Sequence, residues 1–572
     1  MPRLRTQQVS FTGGEIAPLL AARIDVNKYY SAAERMRNVV LLPLGGFRDR
    51  PGLVNVLELA DWGAGGRLIP FAFNTVQTYL IIPTNGQFRV VRDNLLATTI
   101  VTQPWTGAQA KQLNWTQSAD TLFLYHQDLA PYRVQRGGSH TVWNAAAAAL
   151  TNVPTYNFGA GAEAVISGTR GWPRCGTIHQ GRHIMGGLRS RPATWLGSKV
   201  GEYLDFNKGT SLDDEGLNVT IDGDQVNAIL QIVSGRHLQV FTTGGAFAAL
   251  VSPPLTPKNV AMDRQTKRGI KEFVRTAEID GAELYVEKTG RSLREFVFTD
   301  VEQAYNADLS SLLAPHLIRN PVALDVAQGT SEAAADYVFI VNDDGTCACL
   351  NTLRRQEVSG YTLFETDGKF RDVAVLESGE IYFVVERVIA GVTRWFLERL
   401  DRAARVDAAT IYTTGFPIAT ATGLGHLEGK TVRVIRDGYV EPPKVVTAGQ
   451  VALDRPAQSS LQVGIEFDAR VKLLPVEGKL ADGTMIGRKA RVVAATLRLD
   501  ATAALAVNGY TRPFRRFNTA GQASLLDAPP PEFTGDLRIG GLTGWSGRAG
   551  LEISRPFPAP LTVLGVSLEV SV

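Results

Sequence analysis

Between about residue 66 and residue 400, short apolar runs alternate with polar turns in one recurring strand-turn-strand unit. It reads in TYLIIPTNGQFRVV (Thr78 to Val91), TLFLYHQDLAPYRV (Thr121 to Val134), RHIMGGLRSRPATWLGS (Arg182 to Ser198) and RHLQVFTTGGAFAAL (Arg236 to Leu250). Three more copies follow: ELYVEKTGRSLREFVF (Glu283 to Phe298), YVFIVNDDGTCACL (Tyr337 to Leu350) and EIYFVVERVIAGVTRWFLERL (Glu380 to Leu400). Their starts lie roughly 40 to 60 residues apart, a blade period rather than the spacing of sandwich hairpins, which recur every roughly 8 to 12 residues. The pattern predicts a β-propeller of about five to seven blades. Asn85-Gly86, Thr243-Gly244-Gly245 and Asp343-Asp344-Gly345 supply the residues that tight hairpin turns need.

The flanks read differently. VSFTGGEIAPLLAARIDVNKYY, Val9 to Tyr30, has a Gly-Gly-Glu turn, a proline and opposite charges at Arg23 and Asp25, which predicts an extended docking arm with little buried surface. DVNKYYSAAERMRNVVLLP predicts a short helix with Asp25 as its N-cap and Pro43 closing the region. Two insertions are expected in the propeller, Leu255 to Ile270 and a helical Asn306 to Ile318. Beyond about residue 416, alternating strands with Pro and Gly punctuation and no helix pattern predict a sandwich-like or barrel-like β domain. The fold class is therefore mainly β: a docking arm and short helix over residues 1–58, a propeller over 59–415 and a C-terminal β domain over 416–572.

Composition narrows the function. Lys+Arg 59 against Asp+Glu 56, a net charge of +3, argues against a protein that grips nucleic acid through phosphates. Cys175, Cys347 and Cys349 cannot form a disulfide framework. The start MPRLRTQQVSF has no apolar segment of a secretion signal, and no run approaches the ~18 apolar residues of a membrane helix. The expectation is a soluble protein made in a cytoplasm.

Catalytic motifs fail on spacing. In GLGHLEGKT, Gly423 to Thr431, the glycine spacing is wrong for a phosphate loop and a strand pattern follows, so it reads as a turn. NDDGTCACL resembles the Asp-box turn of sialidase-type propellers but lacks its tryptophan. His179, His183 and His237 show no zinc pattern, and Asp213, Asp214 and Glu215 lack the spacing of a calcium loop. No catalytic residue, cofactor or metal is expected. The basic run Lys258, Arg264, Lys267, Arg268 and Lys271 reads as a solvated face, with contact to a partner or a channel wall as the competing reading.

One stretch resembles a family. Phe11, Gly13, Gly14, Glu15, Pro18, Arg23, Asp25, Lys28 and Tyr29, followed by Pro43, Gly45, Gly46, Arg50, Pro51 and Gly52, are similar to the N-terminal pattern of tail nozzle proteins, also called tail tubular protein B, of short-tailed bacteriophages. The resemblance extends to Thr220 to Gly245, to SPPLTPKNVAMDRQTKRG and to HLEGKTVRVIRDG. It implies a structural virion protein of the tail, assembled in the host cytoplasm as a homohexameric ring below the head-to-tail adaptor. Its partners would be that adaptor, tail fibres or tail-tip proteins, and genomic duplex DNA passing without sequence readout; no membrane insertion of its own is implied. The competing expectation is a propeller that binds or cleaves carbohydrate, which would need Asp, Glu, Arg and Tyr clustered at the propeller centre.

Overall fold

The computed structural model describes every residue except 1–2, 21–22, 160, 224, 226, 252–253, 330–335, 354–357, 478, 481–482, 486–487, 515–528 and 543. Five separate four-stranded antiparallel sheets follow one another along the chain, and four further strands in each of two larger sheets complete seven blades. The first blade runs Ile69–Ala72, Thr78–Thr84, Gln87–Arg92, Leu95–Val101, and the sixth Ala323–Ala327, Asp336–Val341, Cys347–Leu353, Val358–Phe364. Each of the seven repeat units read from the sequence supplies the second and third strands of one blade.

The ring closes by a strand from outside the repeat. Blade 7 takes Lys369–Val375, Ile381–Ile389 and Val392–Asp401 from the end of the propeller, and its fourth strand is Gly52–Glu58. Apolar faces of neighbouring blades then pack around the whole circle. Phe71, Tyr79 and Trp143 join blades 1 and 2, and Phe241, Tyr285 and Phe296 join blades 4 and 5. Leu80 and Ile82 meet Tyr382 and Val384 where blade 1 meets blade 7. Burying each such side chain is worth roughly 1.5–3 kcal/mol, so the blades hold each other where a single four-stranded sheet would not.

Two β units continue the propeller's own sheets. Beside Gly52–Glu58 lies Asp407–Tyr412, parallel through Ala409 and Val54, and then Leu461–Ile465 and Thr431–Arg436. This small unit has its own core of Leu424, Leu427, Val434 and Val463. Beside Val358–Phe364 of blade 6 come Gly14–Glu15, Ala32–Arg37 and Arg470–Leu473, leading into Glu552–Ser554. A second sheet, Val39–Leu41, Phe47–Asp49, Thr562–Ser571, Arg491–Thr502 and Phe533–Gly540, with Arg3–Gln8 on Thr562–Ser571, packs over it. The two enclose Phe11, Met36, Phe47, Val471, Leu497, Ile553 and Val566 as the core of a β-sandwich. Residues 416–572 thus enter two units, and the sandwich is built from both ends of the chain.

Local expectations differ in three places. The short helix exists only as the 3-10 turn Asn27–Ser31, and Ala32–Arg37 is a strand. The reason is pairing: Gly14–Glu15 and Arg470–Leu473 flank that strand, and Asp25 holds Arg23 instead of capping. Asn306 to Ile318 is not a helical insertion, because Ala304–Leu309 is the outer strand of blade 5 and only Pro315–Leu317 turns as 3-10. Within Leu255 to Ile270, Asp263–Thr266 is the outer strand of blade 4.

Candidate functional sites: the N-terminal seam and the propeller axis

Phe11, Gly13, Gly14, Glu15 and Tyr29 of the resemblance are buried where the sandwich meets the propeller. Phe11 is fully buried with its ring edge-on to Phe47 at 4.8 Å, and its N–H donates to the Gly45 carbonyl at 2.7 Å. Gly14 has φ +65°, and a Cβ there would stand 2.3 Å from the Tyr361 nitrogen, so only glycine allows blade 6 to approach. Gly13 is buried nearby. Glu15, 2% exposed, accepts from the Met36 N–H at 2.7 Å, from His316 Nε2 at 2.9 Å and from the Arg37 guanidinium. Burial pushes its carboxyl up, but the His316 hydrogen bond and Arg37 outweigh this and hold it below the ordinary value. Tyr29, also buried, donates its hydroxyl to the Pro475 carbonyl at 3.2 Å. The segment is therefore interior, not an extended arm.

The outer part of that segment is different. Pro18 is exposed at the start of the 3-10 turn Pro18–Leu20, and Leu19 beside it is 94% exposed. Arg23 and Asp25 form an exposed bidentate pair at 2.8 Å, and Lys28 is half-buried.

Arg50 lies under the seam at 1% exposure. Its Nη1 and Nη2 donate to both Asp407 oxygens at 2.8 and 2.6 Å, its Nε donates to Asn38 Oδ1 at 2.9 Å, and the Pro51 and Glu365 carbonyls take its other N–H groups. Thr366 donates to Asp407 at 2.8 Å and accepts from Arg387, which forms a second buried bidentate pair with Glu398 at 2.7 Å. Arg555 pairs with Asp49 at 2.9 Å, and both Arg50 and Arg555 stack on Phe467, 3.8 and 4.1 Å from its centroid.

The propeller axis holds a second charged group, which the sequence analysis missed. A cavity of about 350 Å³ is lined by residues of all seven blades and the segments that lead into them, including Arg67, Arg275, Glu283, Asp325 and Asp372. It adjoins a space of about 440 Å³ that shares Pro70, Trp115, Thr116, Arg275 and Val326. Arg67, 8% exposed, reaches the Lys111 and Phe273 carbonyls at 3.2 Å each. Arg275 donates to the Trp115 carbonyl at 2.9 Å and lies 3.8 Å from the centroid of the Trp115 ring. Among the described residues, neither forms a salt bridge. Burial, then Arg67, pushes the Arg275 guanidinium down to about 10.

The axial carboxyls have divided duties. Asp325 accepts from the Val326 and Val375 N–H groups at 2.9 and 2.8 Å, joining blade 6 to blade 7. Asp372 accepts from the Val373 and Leu68 N–H groups at 2.9 and 2.8 Å, joining blade 7 to blade 1. Glu283, 4% exposed, has no such backbone clasp. Burial pushes Asp325 and Asp372 up to about 6, and Glu283 up to about 7.

The other sequence candidates have structural partners. Lys258 meets Asp213 at 3.5 Å and Arg268 meets Glu287 at 3.3 Å; Arg264 and Lys267 are also partnered. His183 Nδ1 donates to the Tyr203 carbonyl at 2.9 Å while Nε2 accepts from the Tyr125 hydroxyl at 2.6 Å, and burial pushes it down to about 4. His179 meets Ser234 and His237 meets Tyr305. Gly425–Leu427 is a 3-10 turn before the strand Thr431–Arg436, and Asp343 to Gly345 is a hairpin turn. Cys175 and Cys347 are buried thiols pushed up to about 12.

No protein-family model matches the chain, and no curated protein matches it. Among solved structures, the RRP9 WD40 repeats align at 8% identity and a TM-score of 0.38, covering 62% of this chain and all (100%) of that one. The WD40 β-propeller domain of Doa1 aligns at 9% identity and 0.34, covering 62% of this chain and 98% of that one. The β-propeller domain of Myceliophteria thermophila Cps50 (Swd1) aligns at 11% and 0.34, covering 61% and 99%. At such scores the propeller is read from the chain's own seven closed sheets, not from these neighbours.

Proposed function

We infer that this chain is a structural subunit of a phage tail nozzle, a ring enclosing a channel for genome exit below the head-to-tail adaptor. The observation that carries the reading is where the resembling residues lie. Phe11, Gly14, Glu15, Arg50 and Gly52 are the points at which propeller, small unit and sandwich are locked together. A rigid composite block is what a wall subunit around a stiff, phosphate-rich duplex requires, and the near-balanced charge lets that duplex slide rather than adhere. Exposed Pro18 and Leu19, and the exposed Arg23–Asp25 pair, are the parts of the segment available to a neighbouring subunit or the adaptor. Cyclic rings use two different patches per subunit, so the chain alone is expected to stay monomeric and to close into a ring on its adaptor.

Negative-stain images of the purified chain, alone and with adaptor, test this. Rings with a central channel are expected with adaptor; isolated particles under both conditions would end the reading. Duplex DNA should bind weakly, with affinity falling steeply as salt rises.

The second reading, a carbohydrate-binding propeller, is favoured by one observation: Asp, Glu and Arg do line the axis. Cleavage is less favoured than binding. Asp325 and Asp372 are occupied by backbone amides and Glu278, the other lining carboxyl, is exposed, which leaves Glu283 without a second buried carboxyl free to share acid-base work.

A further inference from the structure

Filling a seven-bladed axis with charge needs a reason, because apolar side chains would seal it at lower desolvation cost. Two guanidiniums stand at this axis, and among the described residues no carboxylate is hydrogen-bonded to either. Arg67 spends two donors on the Lys111 and Phe273 carbonyls, and Arg275 spends one on Trp115. A guanidinium has five N–H groups in a planar fork. The remaining donors belong to side chains that wall the cavity of about 350 Å³, a volume within the range of small-ligand sites.

The nearby acids do not satisfy them. Asp325 and Asp372 each spend one oxygen on the amide of the next residue in their own strand and the other on the amide of a neighbouring blade, and neither Glu283, 4% exposed, nor the exposed Glu278 of the same wall forms a salt bridge among the described residues. The rest of the wall mixes hydroxyl and amide groups of Thr177, Ser234 and Gln231 with the apolar faces of Ile232, Val326 and Val373. Such a wall suits a compact molecule with one anionic end and a hydrogen-bonding body.

We propose that the propeller axis is a binding site for a small carboxylate-bearing molecule, its carboxylate held by Arg275 and Arg67 and its body by the Thr177, Ser234 and Gln231 side of the cavity. Planar carboxylates match the guanidinium fork bidentately. Glu283 faces the same space and weakens binding when ionised, so it selects for a ligand that brings only one negative group close to it. The site stands on the axial geometry whether or not the chain builds a ring. The ligand source is either a free organic acid or the terminal sugar acid of a polysaccharide, and the two share the carboxylate chemistry.

Calorimetric titration of the full-length protein at neutral pH with sodium glucuronate, sodium lactate, inorganic phosphate and glucose tests the site. Saturable binding of glucuronate or lactate is expected, with none for glucose. Glucuronate over lactate assigns a sugar acid, and lactate over glucuronate a free organic acid. Arg275→Gln should weaken binding roughly tenfold or more, in protein whose fold is checked by circular dichroism. Glu283→Gln keeps the shape, touches no backbone clasp and should tighten binding severalfold. If Arg275→Gln fails to fold, that change in Glu283→Gln decides. The proposal is overturned by absence of saturable acid binding, by binding of phosphate alone, or by an affinity that Glu283→Gln leaves unaltered.

Discussion

Arg50 and Arg275 are the same side chain in two settings, one fully buried and one half-buried, and the difference separates glue from a site. Arg50 engages every face of its guanidinium: both oxygens of Asp407, the Asn38 side chain and two backbone carbonyls. Arg275 has one carbonyl and the face of Trp115. A buried charge that is fully hydrogen-bonded fixes the pieces it touches, whereas an under-bonded one beside open space retains capacity for something else. The seam around Arg50 is complete within the chain; the axis around Arg275 is not.

The largest test of that contrast is truncation. Removing residues 2 to 24 deletes the strand Arg3–Gln8, the Phe11 core residue and the Glu15 junction at once. Soluble, cooperatively folded protein should be lost altogether, as sedimentation and circular dichroism would record. A truncated chain that folded normally and failed only in ring assembly would return the segment to the status of a docking arm.

Next in size is the pair at the seam. Asp407→Ala strands the Arg50 charge in the interior and should cost about 3–5 kcal/mol in urea unfolding, with the double variant Arg50→Met, Asp407→Leu recovering much of the loss. Arg275→Gln, which breaks no ion pair, should stay within about 1 kcal/mol of the parent. Equal losses at the two arginines would erase the distinction. Gly14→Ala probes the same seam through the backbone. Left-handed strain together with a Cβ 2.3 Å from the Tyr361 nitrogen should cost about 2–4 kcal/mol, measured by the same unfolding curves.

The propeller was legible because its signal is periodic: every blade repeats an apolar strand, a turn with Gly or Asn, and a second strand. The sandwich was not, since its sheets pair Arg3–Gln8 and Phe47–Asp49 with Thr562–Ser571, and no local pattern reports a contact between the two ends of a chain. For the same reason AAERMR read as helix: its helix-forming residues carry the local preference, while the parallel Gly14–Glu15 and antiparallel Arg470–Leu473 neighbours decide the outcome. At the axis a signal was present. Asp-Val-Ala occurs at Asp325 to Ala327 and again at Asp372 to Ala374, a charge placed inside an inner apolar strand of two successive blades. Glu283 and Arg275 have no such echo, and only the closed ring brings them to the same space as Arg67.

The smallest effect concerns the charge state of that space. Burial raises Glu283 in the folded protein to about 7 from 4.5, so the native state holds its proton more tightly than the unfolded chain does. Its contribution to stability is therefore full below about pH 4.5 and is lost as pH rises through about 7. Asp325 and Asp372, raised to about 6, act in the same direction. Glu15 at the seam acts in the opposite one: it is held below its ordinary value, so its contribution is present above that value and disappears as acid protonates it. Glu283→Gln has no proton to lose. It should match the parent near pH 4.5 and become more stable above pH 7 by on the order of 1 kcal/mol, as urea unfolding across the pH range would show. Parallel curves for the two proteins would mean that Glu283 is relieved by a partner at the axis, and the axis would then be as complete as the seam.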